Sequence, residues 1–290
     1  MNQASNSQEV SRRRALAEHA ARFYAANPKV AAMLLAGSVA RGTADQYSDI
    51  ELDIFWAETP AEDERLAPIE PAGGTLLYKE ADENEWADGF FIGGVKLDTS
   101  QFLSSTMERW LDDATERADP DVEKQLLIAA VQHGQPLYGA ALVERWRATA
   151  AEYPDALART IAANNLSFRP RFFLEMLAAR DDLLLLYKCI VEIEHLILNV
   201  LLALNRQYVS HPLHKWLDWQ CAQLRIAPPN LARRLKQILR DEPAAAVEQL
   251  HRLIEELFDL VELQLPDFDT SAARAEFAQR RVVEDARDAQ

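Results

Sequence analysis

Cysteine is scarce in this chain. There are two, Cys189 and Cys221, and neither stands in a Cys-x-x-Cys pair. This argues against a disulfide framework and against the common zinc-ligand spacings. Both lie in apolar, helix-like surroundings and read as buried reduced thiols. Long apolar runs are missing too: the longest, residues 196–204, is broken by Asn199 and is too short to span a bilayer. The opening MNQASNSQEVSRRR has no apolar core of the signal-peptide kind. The expectation is a cytoplasmic protein with no membrane partner. Positive charge is in deficit, with 31 Lys and Arg against 46 Asp and Glu, a formal net charge of −15. Such a surface repels phosphate backbones at long range and draws cations, so a small molecule is the expected partner and a nucleic acid is not. Apolar residues are plentiful at 49% of the chain, enough for a buried core and against global disorder.

Glycine is unevenly spread: all nine lie at or before Gly139. Residues 1–7 read as a loose polar tail. Residues 8–26 read as a helix, with Leu16, Ala20, Phe23 and Tyr24 at helical spacing and Pro28 closing it. Val30 to Ala36 is a short apolar run of the buried-strand kind. Ile50, Leu52, Ile54 and Trp56 alternate with Glu51, Asp53 and Phe55, which is strand periodicity. Residues 73–80 and 90–102 are two further strand candidates, the second with Gly93-Gly94 near its start. Residues 103–117 and 122–131 read as helices, and 134–139 as a turn with room for a short last strand. Residues 151–265 read as successive helices broken at Pro154, Pro170, Pro212, Pro228-Pro229, Pro243 and Pro266. The stretch from Asp267 is charged and reads as helical or frayed. The expected class is α+β: a mixed sheet with flanking helices over residues 1–145, then an all-α helical bundle over 146–290.

The segment most informative about chemistry is LLAGSVARGTADQYSDIELDIF, Leu34 to Phe55. A strand ends at Ala36, and Gly37 permits a tight turn and a close ligand approach. Ser38 follows with a hydroxyl and a backbone N–H; a helix starting there would offer its N-terminus to phosphate. The chain then enters a strand on which Asp49, Glu51 and Asp53 share one face while Ile50, Leu52 and Ile54 share the other. Neighbouring carboxylates repel, and a bridging divalent cation relieves the repulsion. Mg²⁺ suits a few carboxylates completed by substrate phosphates. Asp53, a step farther along, reads as a solvated strand-end acid. A hairpin with an acidic edge would explain the acids but not the combined spacing.

Gly-Ser after a strand, about ten residues, then Asp-hydrophobic-Asp/Glu-hydrophobic resembles the signature of the polymerase-beta-like nucleotidyltransferase superfamily. GSVARG followed by SDIE looks most like the bacterial branch of aminoglycoside and lincosamide nucleotidyltransferases and their uncharacterised relatives, and the glutamate in second place is similar to the kanamycin-type enzymes. The resemblance covers about twenty residues; in the helical half it rests on layout alone. It implies a nucleotidyltransferase-fold catalytic domain followed by a helical substrate- and nucleotide-binding domain. It implies that Gly37 and Ser38 hold the triphosphate, that Arg41 lies near the phosphates, and that Asp49 and Glu51 bind Mg²⁺, with two ions expected. A third carboxylate is expected on a later strand. Val95-Lys96-Leu97-Asp98-Thr99 supplies Asp98, either as a metal ligand or as the base on the acceptor hydroxyl.

Residues 180–206 read as one long helix bearing a narrow polar stripe of Asp181, Lys188, Glu192, His195, Asn199 and Arg206. The ordinary reading is a solvent-facing stripe with Lys188 and Glu192 as an i, i+4 pair. The alternative is a cleft wall from which Lys188 reaches nucleotide phosphates. The implied activity is transfer of a nucleoside monophosphate from a Mg-bound nucleoside triphosphate, ATP for preference, to a hydroxyl of a small molecule such as an antibiotic, with release of pyrophosphate. Two alternatives stand beside it: an AMP-transferring, protein-modifying enzyme of the antitoxin type, and an inactive nucleotide-binding domain. Relatives of the antibiotic type sometimes pair protomers, so monomer and homodimer both stay open.

Overall fold

The structure is a computed structural model that describes residues 3–280. The parts of the expected N-terminal tail and C-terminal stretch at 1–2 and 281–290 lie outside the described residues. Chain contacts divide the protein into two compact units, Met1–Tyr153 and Pro154–Gln290. The class is α+β, as the sequence implies.

The first unit holds a six-stranded sheet in the order β3-β4-β5-β2-β1-β6. Its elements are α1 (Gln3–Tyr24), β1 (Val30–Leu35), α2 (Gly37–Arg41), β2 (Ile50–Trp56), α3 (Glu62–Leu66), β3 (Thr75–Ala81), β4 (Trp86–Ile92), β5 (Val95–Leu103), α4 (Ser104–Glu116), α5 (Val122–His133), β6 (Gln135–Tyr138) and α6 (Ala140–Ala151). Residue 145 therefore falls inside a helix of this first unit. The β2–β5 pair is parallel, and the other four pairings are antiparallel.

Two expectations fail here. Residues 3–7 are the first turns of α1, not a loose tail. Residues 90–102 are not one strand: Gly93 and Gly94 adopt φ of +56° and +78°, the positive values a two-residue hairpin turn requires. They fold β4 back onto β5.

Alternation along the strands gives the sheet two unlike faces. Ile50, Leu52, Ile54 and Trp56 join Phe90, Ile92 and Leu97 in a core with Ala17, Ala20, Ala21 and Tyr24 of α1. The opposite face carries Glu51, Asp53 and Phe55 of β2 beside Asp98, Ser100 and Phe102 of β5. At the Phe55 end it is covered by aromatic rings, with Phe55 4.8 Å from Trp146 of α6 and Phe102 5.9 Å from Trp110 of α4, centroid to centroid. The acids occupy the start of the strands and the aromatic rings their end.

The second unit is all helical: α7 (Asp155–Asn165), α8 (Arg171–Ala179), α9 (Leu183–Leu204), α10 (Leu217–Ala222), α11 (Leu231–Ile238), α12 (Pro243–Gln264) and α13 (Ser271–Phe277). Pro154 and Pro170 immediately precede α7 and α8, and Pro243 opens α12, positions where a missing N–H costs no helical hydrogen bond. The single helix expected over 180–206 starts at Leu183, because Asp181 takes a positive φ of +57°. Buried faces of α9 and α12 form the centre of this unit's core. Among the described residues no helix is long and apolar enough to cross a membrane.

Candidate active site on the sheet of the first unit

The backbone places the candidate residues in a chain of neighbours. The β1–β2 pairing runs past the end of β1, with the Ala36 N–H donating to the Glu51 carbonyl at 2.9 Å. Gly37 thus emerges beside Glu51, with φ of +61°. A β-carbon added at Gly37 would overlap the Glu51 carboxylate. Glycine is required here twice over, by conformation and by space. The five-residue α2 follows, ended by Gly42, and the Gln135 amide donates to its Ala40 carbonyl at 2.8 Å. Ser38 is buried at 6% exposure, and its carbonyl accepts the Thr43 N–H at 2.9 Å. Arg41 lies near Glu51: burial presses its pKa down, while the Glu51 charge opposes that shift.

Asp49 is delivered by a tight loop. The Asp45 carboxylate accepts the Tyr47 N–H at 2.9 Å and the Ser48 hydroxyl at 3.1 Å. Arg13 of α1, buried at 3% exposure, donates to the Ser48 carbonyl at 2.7 Å and the Gln46 carbonyl at 3.2 Å, with Glu9 as its counter-charge. Arg13 is a positioning residue for this loop that a reading confined to the motif misses.

The parallel β2–β5 register sets Asp98 directly opposite Glu51. Asp98 accepts from the Tyr78 hydroxyl at 2.8 Å and from Lys96 Nζ at 2.8 Å. Tyr78 reaches it because Gly89, the residue between them across β4, has no side chain: a β-carbon there would overlap the Tyr78 ring. Tyr78, Gly89, Asp98 and Glu51 therefore form one row across four strands. Desolvation first, then the bond to Asp98, raises the Tyr78 pKa. Lys96 was legible in principle, two residues from Asp98 and so on its face; Tyr78 required knowledge of the pairing.

Asp53 is not a solvated strand-end acid. It is 7% exposed, and burial, with Glu51 and Glu85 adding repulsion, pushes its carboxyl up to about 8. Lys188 belongs to α9 of the second unit. It is exposed and stands 3.6 Å from Glu192, as the ordinary i, i+4 reading has it. In the same stripe Asn199 donates to Asn165 of α7 at 3.1 Å, so the stripe is only partly solvated. Next to it, Glu194 is 7% exposed, and desolvation raises its carboxyl to about 8.

The donor set bears on the expected ion. Among the described residues no group of three or more His, Cys, Asp or Glu side chains is placed to hold a metal. The acids available are the Glu51–Asp98 pair in register and Asp49, two residues before Glu51. Mg²⁺ asks for only one or two carboxylates when phosphates complete its shell. The residues fit an ion that arrives with a phosphate-bearing ligand better than one held in a protein cage.

Comparison with known proteins adds little beyond this geometry. No curated protein matches the chain. The family described as Domain of unknown function (DUF4037) matches residues 121–217, a segment that includes Lys188 but none of Gly37, Ser38, Arg41, Asp49, Glu51 and Asp98. Among solved structures the chain is similar to a nucleotidyltransferase-like protein from Exiguobacterium sibiricum 255-15, with a TM-score of 0.43 and 11% identity over 91% of this chain and 81% of that one.

Proposed function

We propose that the first unit is a nucleotidyltransferase that moves a nucleoside monophosphate from a nucleoside triphosphate to a hydroxyl of a small molecule. The observation that carries the reading is the placement of Asp98 opposite Glu51 in parallel register, with the Glu51 carboxylate seated on Gly37. The Gly37 turn and a pair of acids thus lie side by side on neighbouring central strands.

In this reading Gly37 and Ser38 receive the triphosphate, and Arg41 offsets its charge beside Glu51. Asp49 and Glu51 would hold Mg²⁺ with the phosphates completing its shell, and the ion would neutralise phosphate charge. The acceptor hydroxyl gives its proton to Asp98, whose orientation Tyr78 fixes. Its oxygen then attacks the α-phosphorus, and pyrophosphate leaves. Orientation and charge compensation supply most of the acceleration in such transfers. The net charge of −15 favours a small acceptor over a polynucleotide.

The test needs no knowledge of the acceptor. Wild-type protein and Asp49→Asn are titrated with ATP and GTP by calorimetry, with and without Mg²⁺. Metal-dependent binding that the variant loses is expected. A folded wild type with no metal-dependent binding would sink the reading.

A further inference from the structure

A cavity of about 570 Å³ opens beside the acid row, bounded by β2, β5, the β3–β4 turn, α4 and α5. Its volume is that of a small-molecule site. Five carboxylate residues line it, Asp53, Asp82, Glu83, Glu85 and Glu123, and no Lys, Arg or His does. Acidic residues on a surface mean little by themselves. Here one of them is different: Asp53 is 7% exposed, and its Oδ2 has no hydrogen-bond partner. A buried carboxylate oxygen left without a donor is costly unless a ligand provides one. Ser100, opposite Asp53 in the β2–β5 register, is no such donor to it, because its hydroxyl is engaged by Glu85. The rest of the lining is Asn84, whose amide oxygen accepts from Arg109 at 2.9 Å, and apolar side chains, of which Phe102, Trp110 and Leu127 are buried.

We propose that this cavity binds a linear aliphatic polyamine, with one ammonium group donating to Asp53, its methylenes along Phe102 and Trp110, and a second ammonium group among Glu85, Glu123 and the β3–β4 turn. An ammonium brings both the donor that Oδ2 lacks and the counter-charge that the lining lacks. The aromatic wall suits methylene contact and cation–π attraction. Binding of such an amine is measured without nucleotide and does not depend on the proposed transfer.

The test is a titration of the full chain with spermidine at 0.15 M salt, where diffuse attraction beyond about 8 Å is screened. It is read by calorimetry and by the Trp110 indole N–H signal in ¹⁵N-labelled protein. Saturable binding that shifts this signal is expected. Asp53→Asn combined with Glu85→Gln should weaken it at least tenfold, while Glu18→Gln, on α1 at the opposite face, leaves it unchanged. A neutral polyether of equal length should not bind. Absence of saturable binding, equal weakening by Glu18→Gln, or displacement of spermidine by Mg²⁺ would each overturn the proposal. Melting curves establish that the variants are folded. Single variants at Glu85 and Glu123 provide the same comparison if the double variant is not.

Discussion

The Glu51 carboxylate lies against the α-carbon of Gly37 so closely that no β-carbon fits between them. Gly42, five residues on, has a similar φ of +74° but nothing within 4 Å of its would-be β-carbon. The pair separates two effects of one substitution. Gly42→Ala should cost only backbone strain, about 1 kcal/mol, and leave nucleotide binding intact. Gly37→Ala should displace Glu51 as well and lower metal-dependent nucleotide binding by about a hundredfold, a few kcal/mol of binding energy. Calorimetry beside thermal melts checks both, and equal behaviour of the two variants would contradict the account.

Tyr78 meets the candidate site through its hydroxyl, which donates to Asp98 at 2.8 Å. Tyr78→Phe removes one donor to a carboxylate and should slow turnover about tenfold. Asp98→Asn should slow it far more. If the hydroxyl works through the acid, the double variant is no slower than Asp98→Asn alone. Additive losses in this cycle would mean that Tyr78 does something else.

A buried acid gives the second unit a pH dependence of its own. Glu194 titrates near 8 in the folded protein against an ordinary value of 4.5. As pH rises between these values the unfolded chain releases its proton while the folded one retains it, so stability falls with rising pH. Glu194→Gln removes the effect. Its stability should match wild type near pH 4.5 and exceed it by on the order of 2 kcal/mol at pH 8. Denaturant titrations across that window decide the matter, and parallel wild-type and variant curves would refute it.

Asp88 is fully buried in β4 and is held by Arg65 at 2.5 Å and by the Gln101 amide at 2.6 Å. Arg65→Met leaves that carboxylate without its counter-charge and should destabilise the first unit by roughly 3–5 kcal/mol. A single melt measures it. Because Asp88 faces away from the Glu51 side of the sheet, nucleotide affinity below the melting temperature should not change.

The same residue shows where sequence reasoning stops. The α+β layout, β1, β2 and the helices after proline were legible because apolar periodicity and missing N–H groups act locally. β4 was not. Its Ala87, Asp88 and Gly89 have poor strand propensity, and they are tolerated because Arg65, Gln101 and Tyr78 meet them from other elements. The face shared by Glu51 and Asp53 was legible from alternation, whereas Asp49, expected on the same strand, precedes it. The burial of Asp53, the loop anchor Arg13 and the reach of Tyr78 depend on strand pairing or on helix position, which no local pattern encodes.

The parallel pairing of β2 with β5 also orders events in time. The hairpin of β3 and β4 and the glycine turn between β4 and β5 are local in sequence, whereas Glu51 and Asp98 meet only when β5 returns to lie along β2. Such distant contacts are the slow part of assembly. A nascent chain that has not yet extended through β5 has the Gly37 turn without the completed row.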